Sequence, residues 1–290
     1  MRSDMRFCTS AVLIAALAVV SAAQRPDARR LIEKVIANQE AKQQLQRQYA
    51  YRETVTTEFL HKDGSVDKIK SQAFQVTPSP DGEYRRLIAK NGQPLPPEKE
   101  EKEEDKFQKY LNKQLKLSSA ERERNTKEKL AGRLRRFQTR LREALEVYEF
   151  TELPVESVQG NRIRCFGFSP QSGYKAHSKG TDILARLEGT VWIDPKQAQI
   201  VRLHIIFRED LKFFFALFGR ITKGSAAVAE RHQAEDGLWL LENITASLDA
   251  RLYFFKKYRR RITYSYSDYQ KYTVETDEDD FRKVPSSPSP

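Results

Sequence analysis

The chain has 290 residues, 31% of them charged, with 51 Lys and Arg against 40 Asp and Glu and a formal net charge of +11. This length fits one large domain, or two small ones, with a sizeable hydrophobic core. The basic charge favours acidic partners, although charge alone identifies no ligand.

Residues 1 to about 23 have the pattern of a cleavable secretory signal. Arg2 and Arg6 precede an apolar stretch from Ala11 to Val20, and the small residues 21–23 follow. The stretch is about half of the roughly 20 residues that a transmembrane anchor needs, so cleavage is the favoured alternative. We therefore expect a soluble periplasmic or otherwise secreted protein, for which nucleic acid is not an expected partner.

Signal cleavage would remove Cys8 and leave Cys165 as the only cysteine, so no intramolecular disulfide could form. Cys165 lies in a strand-like run from Arg162 to Phe168. This setting favours a buried apolar role over that of a reactive thiol.

The mature chain begins with a predicted helix, followed by three strands. Residues 27–46 carry apolar side chains at helical spacing. From Tyr49 the period changes to two, which predicts antiparallel strands over 49–59, 66–77 and 84–90. Tyr51, Val55 and Phe59 are expected to share one face of the first strand.

A helical insertion is predicted over about 97–148. A possible N-cap at Ser118 with Glu121 predicts two helices with a break near Leu117. The second helix has an apolar stripe that must pack on another element: Leu130, Leu134, Phe137, Leu141, Leu145 and Tyr148.

The strand pattern resumes after residue 149, with a short helical piece near 182–187. Further strands are predicted over 150–158, 161–168, 189–194, 200–208, 225–233, 238–250 and 252–269. The total is about nine or ten strands with short connections, which favours an antiparallel sheet. Residues 24–274 are expected to form a single domain, and residues 275–290 a flexible acidic and proline-rich tail.

The common catalytic signatures are missing from this sequence. It contains no Gly-rich phosphate loop, no Gly-x-Ser-x-Gly and no His-Glu-x-x-His. Its four histidines lack ligand spacing, and the strand acids are interpreted as solvated: Glu53, Glu58, Glu188 and Asp194. We therefore expect no enzyme, no cofactor and no metal site.

Two stretches are candidates for contact with a membrane or a protein partner. The first is an apolar run that is either a buried strand or an exposed contact loop: Phe213, Phe214, Phe215, Leu217 and Phe218. The second mixes aromatic and basic residues over 252–261, and its candidate contact residues are Lys256, Lys257, Arg259 and Arg260. Anionic headgroups and a solvated strand face are the alternatives for it.

The order of predicted elements resembles the LolA-like fold of periplasmic lipoprotein-carrier and lipoprotein-sorting proteins, in an uncharacterised exported branch. The stretches that carry this resemblance are 84–95, Gly189-Thr190-Val191-Trp192-Ile193-Asp194 and 264–269. The resemblance implies an α+β fold: a strongly curved antiparallel sheet, or incomplete β-barrel, whose concave side is covered by the N-terminal helix and the helical hairpin.

The resemblance also implies a non-catalytic binder or carrier of lipid or lipoprotein acyl chains in an apolar cavity. The residues expected to line that cavity are Tyr51, Val55, Phe59, Val191, Val201, Leu203, Ile205 and Phe207 on the sheet, with Leu134, Phe137 and Leu141 on the helical lid. The alternative is an envelope interaction or sensor protein that binds a protein partner through the same sheet.

Overall fold

A computed structural model describes residues 27–38, 41–42, 44–79, 82–213, 219–252 and 256–271. The predicted signal, the whole predicted tail and residues 214–218 lie outside the described residues. The side chains of Phe213, Lys256 and Lys257 do as well.

Thirteen strands form one open sheet in the described part of the chain. They are β1 (Tyr49–Leu60), β2 (Val66–Ser79), β3 (Gly82–Lys90), β4 (Gln93–Pro94), β5 (Tyr148–Val158), β6 (Asn161–Pro170), β7 (Leu187–Asp194), β8 (Gln199–Phe207), β9 (Leu211–Phe213), β10 (Gly219–Ile221), β11 (Ala226–Gln233), β12 (Trp239–Leu252) and β13 (Lys256–Lys271). Their order is β4-β3-β2-β1-β13-β12-β11-β8-β7-β6-β5, with β10 between β12 and β9. Each pairing is antiparallel, so the predicted sheet is confirmed.

Four helices accompany the sheet in the described ranges: α1 (residues 27–38, with further helical residues at 41–42 and 44–46), α2 (Pro97–Leu115), α3 (Ser119–Val147) and α4 (Lys179–Leu184). The predicted break between α2 and α3 is confirmed, because Ser118 and Glu121 form a reciprocal capping box. The short helix begins three residues earlier than predicted, since Ser178 caps it by accepting from the Thr181 amide.

Ten of the strands have eight or more residues and correspond to the ten predicted segments. The three additional strands, β4, β9 and β10, have two or three residues each. A segment of this length cannot show a period of two, which is why the sequence pattern missed them.

The largest hydrophobic cluster lies between α1, the end of α3 and strands β5 to β8. We call the face of the sheet that α1 covers the inner face. The buried side chains of the cluster include Ile32, Val35, Leu145, Phe166 and Val191. The expected helical cover is therefore present over this half of the sheet.

The other helix of the hairpin packs differently from the prediction. The Tyr84 ring lies 4.9 Å from the Phe107 ring of α2, and Arg86 forms a 2.6 Å ion pair with Glu104. Arg85 lies between Tyr84 and Arg86 in the strand and contacts Glu53 of the inner face. Because successive strand residues face opposite sides, Tyr84 and Arg86 face the outer side. Helix α2 therefore covers the outer side of β3, not the inner face.

The prediction that Val201 shares a face with Leu203 is wrong. Ile193 pairs with Ile200 whereas Trp192 pairs with Arg202, so Val201 is an extra residue in β8. Such a bulge reverses the alternation locally. Val201 consequently packs with a cluster on the outer face, made with Ile163 and Trp239.

Cys165 is a buried free cysteine, as expected, and burial raises the pKa of its thiol. The solvated role predicted for two strand acids is wrong, because Glu53 and Asp194 are buried. Each has a specific partner: Arg85 lies 2.8 Å from Glu53, and the Trp239 indole donates to Asp194 at 2.9 Å.

Asp236 joins the first and last strands at one end of the sheet. Its carboxylate accepts a 2.7 Å hydrogen bond from the Tyr49 hydroxyl and pairs with Lys271 at 3.0 Å. Burial acts to raise the pKa of Asp236, but the hydrogen bonds from Tyr49 and Lys271 outweigh it and lower that pKa.

We expect Asp236→Asn to lower the free energy of unfolding by about 1 kcal/mol at neutral pH. A carboxyl with a lowered folded-state pKa stabilises the protein above its unfolded pKa of about 3.9 and loses that effect as pH falls through the folded value. Urea unfolding at a series of pH values should show the two proteins converging below about pH 4. A difference that is constant with pH would contradict this assignment.

Candidate functional site

A continuous row of side chains crosses the inner face. Directly paired residues of antiparallel strands lie on the same face of a sheet. The register connects one residue of each strand from β7 to β1: Val191, Leu203, Ala229, Ile244, Tyr264 and Val55. A parallel row contains Gly189, Ile205, Ala227, Ala246, Ile262 and Thr57. The two rows make the inner face predominantly apolar across six strands.

A cavity of about 240 Å³ lies between this face and the helices. Its walls are Ile32, Val35, Arg140, Leu141, Ala144, Tyr148, Phe150, Phe168, Leu184, Leu187, Val191, Ile193, Ile200, Leu203 and Ile205. Of these described residues, Arg140 alone is charged, and its guanidinium is exposed and bonded to Glu143 at 3.0 Å. The cavity can therefore accept apolar groups, with a cation at its boundary.

A second concavity, of about 470 Å³, occupies the same face where no described helix covers it. We call it the groove, and it is lined by Arg220, Ile221, Leu248, Ala250, Tyr258, Arg260 and Ile262. Between the cavity and the groove, β11 presents the small side chains of Ala227 and Ala229, and the next residue on this face, Arg231, donates to the Ile200 carbonyl at 3.1 Å. The apolar surface thus continues from one concavity to the other over the two alanines.

Arg260 is the residue of the groove with an unsatisfied donor. Its guanidinium lies 4.7 Å from the Phe59 ring and 5.1 Å from the Tyr258 ring. Its Nε atom is buried and has no hydrogen-bond partner in the described structure. A buried donor without an acceptor is costly, so an anionic or carbonyl oxygen would be stabilised at this point.

Aromatic hydroxyls and one ion pair occupy the inner face towards the opposite end of β1. The rings of Tyr266 and Tyr269 lie 5.8 and 5.2 Å from that of Tyr51. Burial raises the pKa of Tyr266 to about 12 and also raises that of Tyr51, so the neutral form of both hydroxyls is favoured. This end of the face also carries charge, namely the Glu53–Arg85 pair and Arg231, whose guanidinium interacts with Tyr269 and donates to the Ile200 carbonyl at 3.1 Å.

The predicted cavity residues divide into four groups. Four line the cavity: Val191, Leu203, Ile205 and Leu141. Four others lie on the inner face outside it: Tyr51, Val55, Phe59 and Phe207. Val201 is on the outer face, as described above. The side chains of Leu134 and Phe137 lie outside the described residues.

The sequence pattern did not assign most of the remaining walls to the cavity. Ile32 and Val35 have the expected helical spacing, yet nothing in the pattern placed α1 over β7 and β8. Ile200 was missed because the bulge at Val201 turns it inwards. Ala144 lies beside the predicted helical stripe, where its small size gave no signal.

Metal and membrane-spanning features are not found where the structure is described. No group of three His, Cys, Asp or Glu side chains could hold a metal ion among these residues. No helix in the same ranges is long and apolar enough to cross a bilayer.

The fold and its inner face define the class of the molecule: an open, curved antiparallel α+β sheet with helices over one part of its apolar face. A domain assigned to outer membrane lipoprotein-sorting proteins, from Vibrio parahaemolyticus, is similar at 14% identity, with 81% of this chain and 88% of that chain covered and a TM-score of 0.25. A DUF1329 family protein from Desulfovibrio piger is similar at 9% identity, with 86% and 95% covered and a TM-score of 0.25. A MucA/MucB complex structure from Pseudomonas aeruginosa matches at 8% identity, with 86% and 100% covered and a TM-score of 0.23.

No protein-family model matches the chain, and no curated protein does. Likenesses of this size transfer no ligand or partner, so the function must be argued from the chain's own surfaces.

Proposed function

We propose that this chain is an exported, non-catalytic binder or carrier of acyl chains. The observation that carries the proposal is the apolar cavity between α1, α3, α4 and strands β5 to β8. Each methylene that enters such a space from water contributes about 0.8 kcal/mol. An acyl chain gains this free energy for each methylene that it buries, whereas a polar solute would find few hydrogen-bond partners on these walls.

The cavity and the groove together suggest how an acyl chain would lie. At about 240 Å³ the cavity is smaller than the roughly 300–1,000 Å³ of pockets that enclose a whole small ligand. It would hold the end of the chain, while the remainder crosses Ala227 and Ala229 into the groove. The free Nε of Arg260 would then meet an oxygen of the headgroup.

Filling the cavity from α3 tests this proposal. We expect Ala144→Phe to weaken binding of a fluorescent fatty-acid analogue by at least about tenfold, because its ring occupies space that the chain end would use. Ala131→Phe is the matched control, since Ala131 is exposed on the same helix. Native mass spectrometry with lipid extraction of the protein from its own envelope should identify the natural ligand. Equal binding by both variants would refute the cavity as the site.

Export itself needs a separate experiment. Intact mass measurement of the protein from the envelope fraction should show loss of residues 1 to about 23. Recovery of the full-length chain from the cytoplasm would contradict the exported part of the proposal.

A protein partner is the second candidate, and the open groove is the feature that favours it. A groove of about 470 Å³ between half-buried apolar strand residues could accept an apolar segment of an envelope protein. In that case crosslinking from the groove should recover one partner at stoichiometric yield, and the extracted protein should carry no lipid.

A further inference from the structure

The strands of three hairpins end side by side at one end of the sheet, which we call the hairpin end. They are the β1–β2, β12–β13 and β9–β10 hairpins. Phe59–Arg260 pairs β1 with β13, and Arg220–Arg251 pairs β10 with β12, while Leu252–Lys256 is the last pair of the β12–β13 hairpin itself. Arg259 joins two of these hairpins, since it donates to the Lys62 carbonyl of the β1–β2 turn and to the Asp249 carboxylate of β12.

The hairpin end concentrates the positive charge of the protein. Residues 58–70, 208–223 and 249–261 contain 13 Lys and Arg but only 6 Asp and Glu, and the excess of seven is most of the net +11. Within these three segments, the cations whose described side chains are exposed are Lys62, Lys68, Lys70, Lys212, Lys223, Arg251 and Arg261. They are spread over all three hairpins, which suits a broad anionic surface better than a single acidic side chain.

Apolar side chains stand among these cations. Val66 is 47% exposed and Ile69 is 57% exposed, and both lie beside Lys68 on the β1–β2 hairpin. The turn before them is ordered, because the Asp63 carboxylate accepts from the amide and hydroxyl of Ser65 at 2.9 and 2.7 Å. A mixture of apolar and basic residues is what binding at a lipid–water interface requires.

We propose that the hairpin end docks the protein onto a bilayer that contains anionic lipid. Val66 and Ile69 enter the interface, and the surrounding lysines and arginines meet the headgroups. A basic residue near such a surface contributes about 1 kcal/mol, so several together give measurable binding. This goes beyond the proposed acyl binding, which requires the cavity but no contact with a bilayer.

Vesicle flotation tests the docking surface. The mature protein should float with phosphatidylcholine vesicles that contain roughly one third phosphatidylglycerol, and less so as salt rises. Val66→Ser with Ile69→Ser, and separately Lys62→Glu with Lys68→Glu, should each weaken this binding by at least about tenfold. All four side chains are exposed, and an unchanged melting temperature would verify that the fold is intact.

Matched controls place the same chemical changes elsewhere. Leu153→Ser with Val155→Ser removes apolar side chains that are 37% and 42% exposed on edge strand β5. Lys99→Glu with Lys109→Glu reverses two exposed charges on α2. Both controls should float like the unmodified protein. Loss of binding in a control equal to that in its test variant would overturn the proposal.

Two other results would also overturn the docking proposal. The first is that the protein does not float with anionic vesicles. The second is self-association in light scattering that Val66→Ser with Ile69→Ser abolishes, because the hairpin end would then be an interface between copies. The cavity variant Ala144→Phe should float normally. Failure of acyl binding and failure of docking are thereby distinguished.

Discussion

Replacing Asp194 with alanine is expected to lower the free energy of unfolding by about 3 kcal/mol. One carboxylate oxygen accepts from the Trp239 indole at 2.9 Å, and the other accepts from the amides of Lys196 and Gln197 at 2.8 and 3.2 Å. Alanine would leave the buried indole nitrogen without an acceptor and would release the β7–β8 turn. Denaturant unfolding followed by tryptophan fluorescence measures the loss.

Glu188→Ala is the control for this prediction, because Glu188 is another acid on β7 but is only partly buried. It should change the stability by less than about 0.5 kcal/mol. Combining Asp194→Ala with Trp239→Phe should cost less than the sum of the two single changes, since both remove the same hydrogen bond. Additive losses would show that the bond is not what makes Asp194 important.

The burial of Asp194 illustrates what a single sequence cannot show. A strand acid that faces solvent and one that meets a buried donor look alike in a local pattern. The donor for Asp194 is 45 positions away along the chain, and the Arg85 partner of Glu53 is 32 positions away. Only the strand order of the folded sheet brings these partners together.

The alternating strands and the helix boundaries were predictable because their signals are local. Period-two patterns located ten strands, and Ser118 with Glu121 located the start of α3. The bulge at Val201 was not predictable, since Ile200 and Val201 are both β-branched and either could face inwards. One extra residue there decided which side chains line the cavity.

The extent of the apolar surface could not be predicted from the sequence either. Ala227 and Ala229 gave no signal, because alanine is neutral in a strand pattern. Their importance comes from position: they lie between Leu203 and Ile205 of the cavity wall and Ile244 and Ala246 beside the groove. Small side chains at this crossing leave a passage that larger ones would obstruct.

This crossing leads to a chain-length prediction for acyl binding. Affinity for a series of saturated fatty acids should rise about fourfold per methylene, from roughly 0.8 kcal/mol each, until the cavity and the groove are filled. Ala229→Phe would place a ring between them and confine the chain to the cavity. Short chains should then bind as before. A chain with four further methylenes should lose about 3 kcal/mol of binding free energy, which is more than 100-fold in affinity.

Isothermal titration with chains of increasing length, below their micelle concentrations, measures this effect. Val228→Phe is the matched control, because Val228 pairs with His204 and so faces the opposite side of the sheet. If Ala229→Phe weakened short and long chains equally, the cavity and the groove would not form one passage. If affinity stopped rising at the same acyl-chain length in the unmodified protein and in Ala229→Phe, the cavity alone would hold the ligand, and the groove would be free for a different partner.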